Sequence, residues 1–186
     1  MNEREINIIE AAFEVFSRYG VQKSSMNDLA KEAGISRQTL YKSFSNKDDV
    51  LTATIRLFSG RAISEIGGQL EQEIALSTRL DIVFEEIVIK PYMQIHASPH
   101  ADDLIQGMNA ASQKEIEQSI ERFRVVIEFI LKPYKASLKK SNLDVVGLSD
   151  LIQKSANAIK HKARDEAHLR TLLENLKKLV LASVEA

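Results

Sequence analysis

Apolar positions recur at helical spacing from the start of the chain. Ile6, Ile9, Phe13 and Phe16 mark one face of a first helix, which runs to Gly20, a glycine placed to cap a helix C-terminus. Ser25 followed by Asp28 has the form of a capping box and predicts a short second helix through Leu29, Ala30 and Ala33, ended by Gly34. Ser36 is positioned to cap a third helix that turns Leu40 and Phe44 inward. Ser45 or Asn46 caps a fourth, with Asp48 and Asp49 in the first turn, where acids favour the helix dipole. Leu51, Ile55, Phe58 and Ala62 carry that helix to about Gly67. Beyond Gly68 the pattern predicts helices at roughly 78–97, 101–111, 113–140, 146–162 and 166–184. Pro91 and Pro133, each in a Lys-Pro-Tyr triplet, mark kinks or helix ends, and their flanks are too different for an internal repeat. No segment alternates as a strand does. The expected fold is all-α: a three-helix head over residues 1–46, joined by the long fourth helix to a helical body over 47–186.

Residues 25–44 describe a helix, a sharp turn and a second helix packed closely across the first. Ala30 is small where the helices approach, Gly34 supplies the positive φ of the turn, and Ile35 and Leu40 plug the inner side. Arg37, Gln38, Tyr41 and Lys42 remain outward, with Thr39 near the edge and no acid between them. A polar helix face is ordinarily just solvated; in this setting it has the form of a helix-turn-helix with a recognition helix of the right length for a major groove.

The stretch AAFEVFSRYGVQKSSMNDLAKEAGISRQTLYKSFSNKDDVL resembles the DNA-binding domain of the TetR family of transcriptional regulators. The resemblance covers about residues 6–55 and rests on the Ala-Ala-x-x-x-Phe first helix, Gly20, Ser24-Ser25 and Asp28-Leu29-Ala30. It continues through Ala33-Gly34-Ile35-Ser36, Thr39-Leu40-Tyr41, Phe44, Lys47 and Leu51. Two positions depart from the family pattern: Ser43 stands where an aromatic is frequent, and Ser24 where threonine is usual. The resemblance implies a double-stranded DNA operator as partner, with roles residue by residue. Arg37 and Gln38 are candidates for base edges, since Arg suits guanine and Gln suits adenine. Thr39 is placed for a thymine methyl or a phosphate. Ser25, Ser36, Tyr41, Lys42 and Lys47 are candidates for phosphates, Lys47 at the first turn of the fourth helix.

Charge changes the picture only when it is partitioned. The formal net charge is −1, unpromising for a nucleic-acid binder. Residues 1–20 set Arg4 and Arg18 against Glu3, Glu5, Glu10 and Glu14, a net of −2. Residues 21–47 set Lys23, Lys31, Arg37, Lys42 and Lys47 against Asp28 and Glu32, a net of +3. The basic excess surrounds the helix-turn-helix.

In the body, Leu148, Leu151, Ile152, Ser155 and Ile159 line one helix, and Leu169, Leu172, Leu173, Leu176 and Val180 line the next. Such stripes pack either on their own core or across a two-fold axis. The resemblance implies a homodimer in which the last two helices form a four-helix bundle, making Leu148, Leu151, Ile152, Leu169, Leu172, Leu173 and Leu176 candidate interface residues. Phe84, Tyr92, Met93, Met108, Phe123, Ile127 and Phe129 recur at helical spacing as core residues do. The resemblance also implies an effector cavity, for which Phe84, Tyr92, Met108, Phe123 and Ile127 are candidate lining; an apolar wall favours a lipophilic or aromatic small molecule.

Other chemistries find little support. There is no cysteine, hence no disulfide or thiolate metal site. His96 and His100 have the spacing of a zinc pair, but Pro99 interrupts the helix such a pair needs, so neither metal nor cofactor is expected. No phosphate loop or nucleophile elbow occurs, and Glu85-Glu86 has the form of a solvated pair, so the chain is not expected to be an enzyme. Acids near the N-terminus and the lack of a long apolar run predict a soluble cytoplasmic protein without membrane contact. The expected function is a DNA-binding regulator, most commonly a repressor released by a small-molecule effector. The alternative is a helical protein-binding adaptor that keeps the head without sequence-specific DNA binding.

Overall fold

The computed structural model describes residues 1–70, 74–98 and 110–185, and among these the chain is built of helices and turns. The helices are α1 (Glu3–Tyr19), α2 (Met26–Glu32), α3 (Arg37–Ser43), α4 (Lys47–Leu70), α5 (Leu76–Phe84), α6 (Lys90–His96), α7 (Ala110–Leu131), α8 (Lys135–Lys140), α9 (Val145–Lys162) and α10 (Glu166–Glu185). The helix expected at 101–111 lies outside the described residues except for its end, which opens α7. No helix of the described residues is long and apolar enough to cross a membrane.

The two proline triplets resolve differently. Before Pro91 the chain forms a π-helical turn at Glu85–Ile89, with the Lys90 N–H bonded to the Glu85 carbonyl. Proline lacks an N–H and its ring crowds the carbonyl four residues back, and the wider turn relieves both problems. It also turns Glu86, Ile87, Val88 and Ile89 all inward, leaving each buried. At Pro133 the expected helix 113–140 breaks instead. A 3₁₀ turn at Lys132–Tyr134 separates α7 from α8. α8 then ends with Asn142 at φ 56°, and Leu143 N–H and Asn142 N–H close on the carbonyls of Leu138 and Lys139; asparagine tolerates this left-handed position.

The chain divides into two compact units. The first comprises Met1–Gly60 with Gln94–Ser119, the second Arg61–Met93 with Ile120–Ala186. The head expected over 1–46 thus shares its unit with α4 as far as Gly60. Its core draws Ile8, Ala12, Val15 and Phe16 from α1, Leu29 and Ala30 from α2, Leu40 from α3, and Val50 and Leu51 from α4. The Phe13 and Phe58 rings pack with centroids 4.7 Å apart. The second unit closes over Leu80, Val83, Ile127, Ile130, Leu131, Leu138, Ile152 and Leu169. Lys177, largely buried, ties α10 to Asp81 of α5 at 2.7 Å within it.

Candidate nucleic-acid interface

The setting of α3 is encoded locally. α2 starts in a reciprocal capping box: Ser25 Oγ accepts from the Asp28 amide at 3.3 Å, and the Ser25 amide donates to the Asp28 carboxylate at 2.9 Å. The Ser25 hydroxyl also donates to that carboxylate at 2.6 Å. These bonds, the hydroxyl's first, hold the Asp28 carboxyl below its ordinary range. α2 ends as Gly34 N–H reaches the Lys31 carbonyl (3.2 Å) and Ile35 N–H the Ala30 carbonyl (3.0 Å), the paired closure of a Schellman motif. Gly34 has φ +66°, and a Cβ added there meets nothing within 4 Å, so glycine is required for its torsion rather than for space. α3 then starts with Ser36 Oγ accepting from the Thr39 amide at 3.1 Å.

Leu40, fully buried, fixes which side of α3 faces the core. The opposite side is open. Arg37, Gln38, Tyr41 and Lys42 are exposed, Tyr41 at 46%, and Thr39 is half-buried. The Arg37 guanidinium lies 5.9 Å from the centroid of the Tyr41 ring, one turn on, which orders both side chains. No ion pair engages Arg37 or Lys42 among the described residues. This is a short outward helix carrying two free cations, an amide and a phenol.

The hydroxyl groups expected at phosphates are engaged differently. Ser25 Oγ and Ser36 Oγ serve as helix caps, and Ser36 Oγ also meets Thr39 Oγ1 at 2.9 Å. Ser24, which replaces the family's threonine, is buried and donates its hydroxyl to the Gly20 carbonyl. The Lys47 amine points into the head, onto the carbonyls of Val21 and Ser24.

Sequence reasoning missed a polar seam in the first unit. Three side chains at one-turn spacing on α4 meet three on the start of α7: Thr52 with Ser112 at 3.2 Å, Arg56 with Glu115 at 2.7 Å, and Ser59 with Ser119 at 3.0 Å. The Glu115 side chain is 2% exposed and that of Arg56 60%. The partners lie 59 or 60 residues apart, beyond the reach of any local pattern.

The body residues separate into two groups. Of the expected dimer stripe, Leu148, Ile152, Leu169 and Leu173 are buried in the second unit's own core. Helical spacing identifies an apolar face but not the partner it meets. Leu172 is half-buried, Leu176 packs against the same core, and Leu151 stays 58% exposed. Leu179, 71% exposed, was not singled out. Of the expected pocket lining, Phe84, Tyr92 and Ile127 belong to the packed core with Phe123 against it, while Met108 lies outside the described residues. A cleft of about 550 Å³ between α7 and α9 is lined mainly by polar residues that also present their aliphatic stems, including Glu121, Arg124, Asp150, Lys154 and His161. His100, the second member of the histidine pair, is outside the described residues; among those described, no group of acids and histidines is arranged to hold a metal ion.

Residues 8–54 match the family model of bacterial regulatory proteins, tetR family. A fatty acid metabolism regulator protein of Bacillus subtilis (strain 168) is 28% identical over 129 residues, 69% of this chain and 61% of that protein. The chain thus spans about three fifths of the length of the curated relatives it matches. A fatty acid degradation regulator from Bacillus halodurans superposes with a TM-score of 0.70 at 20% identity, over 95% of each chain. A TetR transcription regulator from Haloarcula marismortui ATCC 43049 gives 0.76 at 16% identity, over 96% of each.

Proposed function

Because the chain belongs to the TetR family of bacterial regulatory proteins, we propose that it binds a roughly palindromic DNA operator as a homodimer and releases it when a small molecule occupies the body. The observation that carries this reading is the open face of α3. Arg37 and Gln38 supply bidentate contacts to base edges, and Tyr41, Lys42 and Thr39 hold the backbone on either side. Leu40 and the Gly34 turn keep that face aimed outward. Phosphate oxygens only accept, so Ser25 and Ser36 bind them through the hydroxyl hydrogen alone; Ser25 already gives its hydrogen to Asp28, and that of Ser36 is shared with Thr39 Oγ1.

Release works through α4. It is one unbroken helix from Lys47 to Leu70, and the division between the compact units falls within it, at Gly60 and Arg61. An effector that displaces the helix in the second unit alters its setting in the head. Two recognition helices must match half-sites about 34–36 Å apart or a multiple of that, so a shift of a few ångströms loses one set of contacts. A typical coupling reduces operator affinity about 5–150-fold. The likeness to a fatty acid metabolism regulator supports an apolar effector, which has to part the packed side chains around Phe84, Tyr92, Phe123 and Ile127.

Selection from random duplexes tests the reading. The purified chain enriches a palindrome, and its affinity falls steeply with salt as lysine and arginine displace counterions. Failure to enrich any sequence, with no salt-dependent retention of duplex, refutes DNA binding and leaves the adaptor.

A further inference from the structure

Lys47 is the first residue of α4. A cation there faces the positive end of its own helix, where acids are favoured and lysine is not. Its amine turns away from that end. Nζ donates to the carbonyl of Val21 at 2.6 Å and of Ser24 at 2.8 Å, with that of Gln22 at 3.5 Å. An ammonium has three donors, and the short bonds to Val21 and Ser24 engage two of them, with the Gln22 carbonyl beside the third. These carbonyls belong to the turn just beyond the C-terminus of α1, the end of a helix that favours positive charge. The same turn is closed by the Ser24 hydroxyl on the Gly20 carbonyl and leads directly into Ser25, the cap of α2.

We infer that Lys47 is a positioning residue of the DNA-binding head, an internal tie that sets the start of α4 against the α1–α2 turn, rather than a phosphate contact. Val50 and Leu51, 0% and 5% exposed, already hold the first turn of α4 to the head core. Apolar burial is non-directional, however, and leaves rotation about the helix axis poorly defined. Hydrogen bonds from one charged donor to several fixed carbonyls define it. A rotation of α4 therefore carries the turn before Ser25 with it, and with that turn α2 and the recognition helix.

The inference rests on the DNA-binding reading above, and two measurements on the full chain separate the two ideas. The first is acetylation of the wild-type protein, read by mass spectrometry, free and with a duplex it has selected. Lys47 should react at least tenfold more slowly than exposed Lys23 and Lys42 in the free protein, with DNA adding no further protection. Modification of free Lys47 as fast as Lys42, with protection appearing only on DNA, overturns the tie. This arm is decisive even if no duplex is bound, an outcome that sinks the functional reading but not the tie. The second is Lys47→Met, which keeps the stem and drops the amine. Affinity for the selected duplex should fall about tenfold and for a random duplex much less, with the slope of log affinity against log salt unchanged. Equal losses on both duplexes with a slope shallower by about 0.9, or no loss on either, overturn the inference. A variant that does not fold, judged by circular dichroism, leaves the decision to the acetylation arm.

Discussion

Arg37 and Gln38 sit at the first two positions of α3, where side chains splay from the helix start and reach furthest into a groove. Among the described residues neither is held by another protein group except for the Tyr41 ring beside Arg37, which leaves their hydrogen-bonding capacity open to a ligand. Arg37→Ala should cost about 1–3 kcal/mol on the selected operator and relax preference at one base position, because a bidentate contact discriminates by that amount. Gln38→Ala should do the same at a different position. Competition binding against single-base operator variants reads both. An equal loss for Arg37→Ala on operator and random duplex contradicts a base-reading role. At this scale the sequence was most informative. The capping box of Ser25 and Asp28, the turn at Gly34 and the cap at Ser36 each join residues three to five positions apart, so each leaves a complete signature in a short window. Lys47 shows the limit: the residue is plain, but its partners lie 23 to 26 residues away, and only the folded head brings them together.

Element by element, the same distinction separates what was legible from what was not. α9 and α10 begin and end within about a residue of expectation because caps and period fix them, as with Asp144 accepting from the Gly147 amide. Pro91 and Pro133 announce a disturbance without saying which; a buried run of Ile87, Val88 and Ile89 favours a π turn at one, and a break follows the other. The seam between α4 and α7 left no sequence signal, yet it gives an element-scale prediction. Removing Arg56 takes a charged partner from the buried Glu115 carboxylate, whereas Glu115→Gln leaves a neutral acceptor and an arginine with access to water. Arg56→Met should therefore cost about 1–3 kcal/mol in urea unfolding, discounted for the exposure of its guanidinium, and Glu115→Gln less than about 1 kcal/mol. Equal costs, or a larger one for Glu115→Gln, mean that the pair does not hold the start of α7 to α4.

At the scale of the whole molecule, the proposed palindromic operator requires two copies of the head, and the exposed apolar residues of α9 and α10 offer a face on which to test for the second copy. On α9, Leu151, Ser155 and Ala158 follow at one-turn spacing; on α10, Leu172, Asn175 and Leu179 do the same. Leu151 and Leu179 are 58% and 71% exposed, while the neighbouring Ile152, Leu169, Leu173 and Val180 are buried in the subunit's own core. Exposed leucines are ordinary one at a time, but one on each of the neighbouring helices α9 and α10 makes this face the one to test for a second copy. The distinction also decides how to test it. Charges placed at Leu173 or Leu176 disturb the core and confuse unfolding with dissociation. Leu151→Asp with Leu179→Asp touches only side chains outside the core, so each subunit should keep its helical content. If the face joins two copies, the double variant buries four charges across the two-fold axis and should sediment as a monomer at micromolar concentration where the wild type is a dimer. It should also lose affinity for the palindrome while keeping that for a single half-site, because each head still folds but no longer binds in tandem. A double variant that remains dimeric moves the interface elsewhere on the second unit. A wild type that sediments as a monomer removes the two-headed reading of the operator altogether.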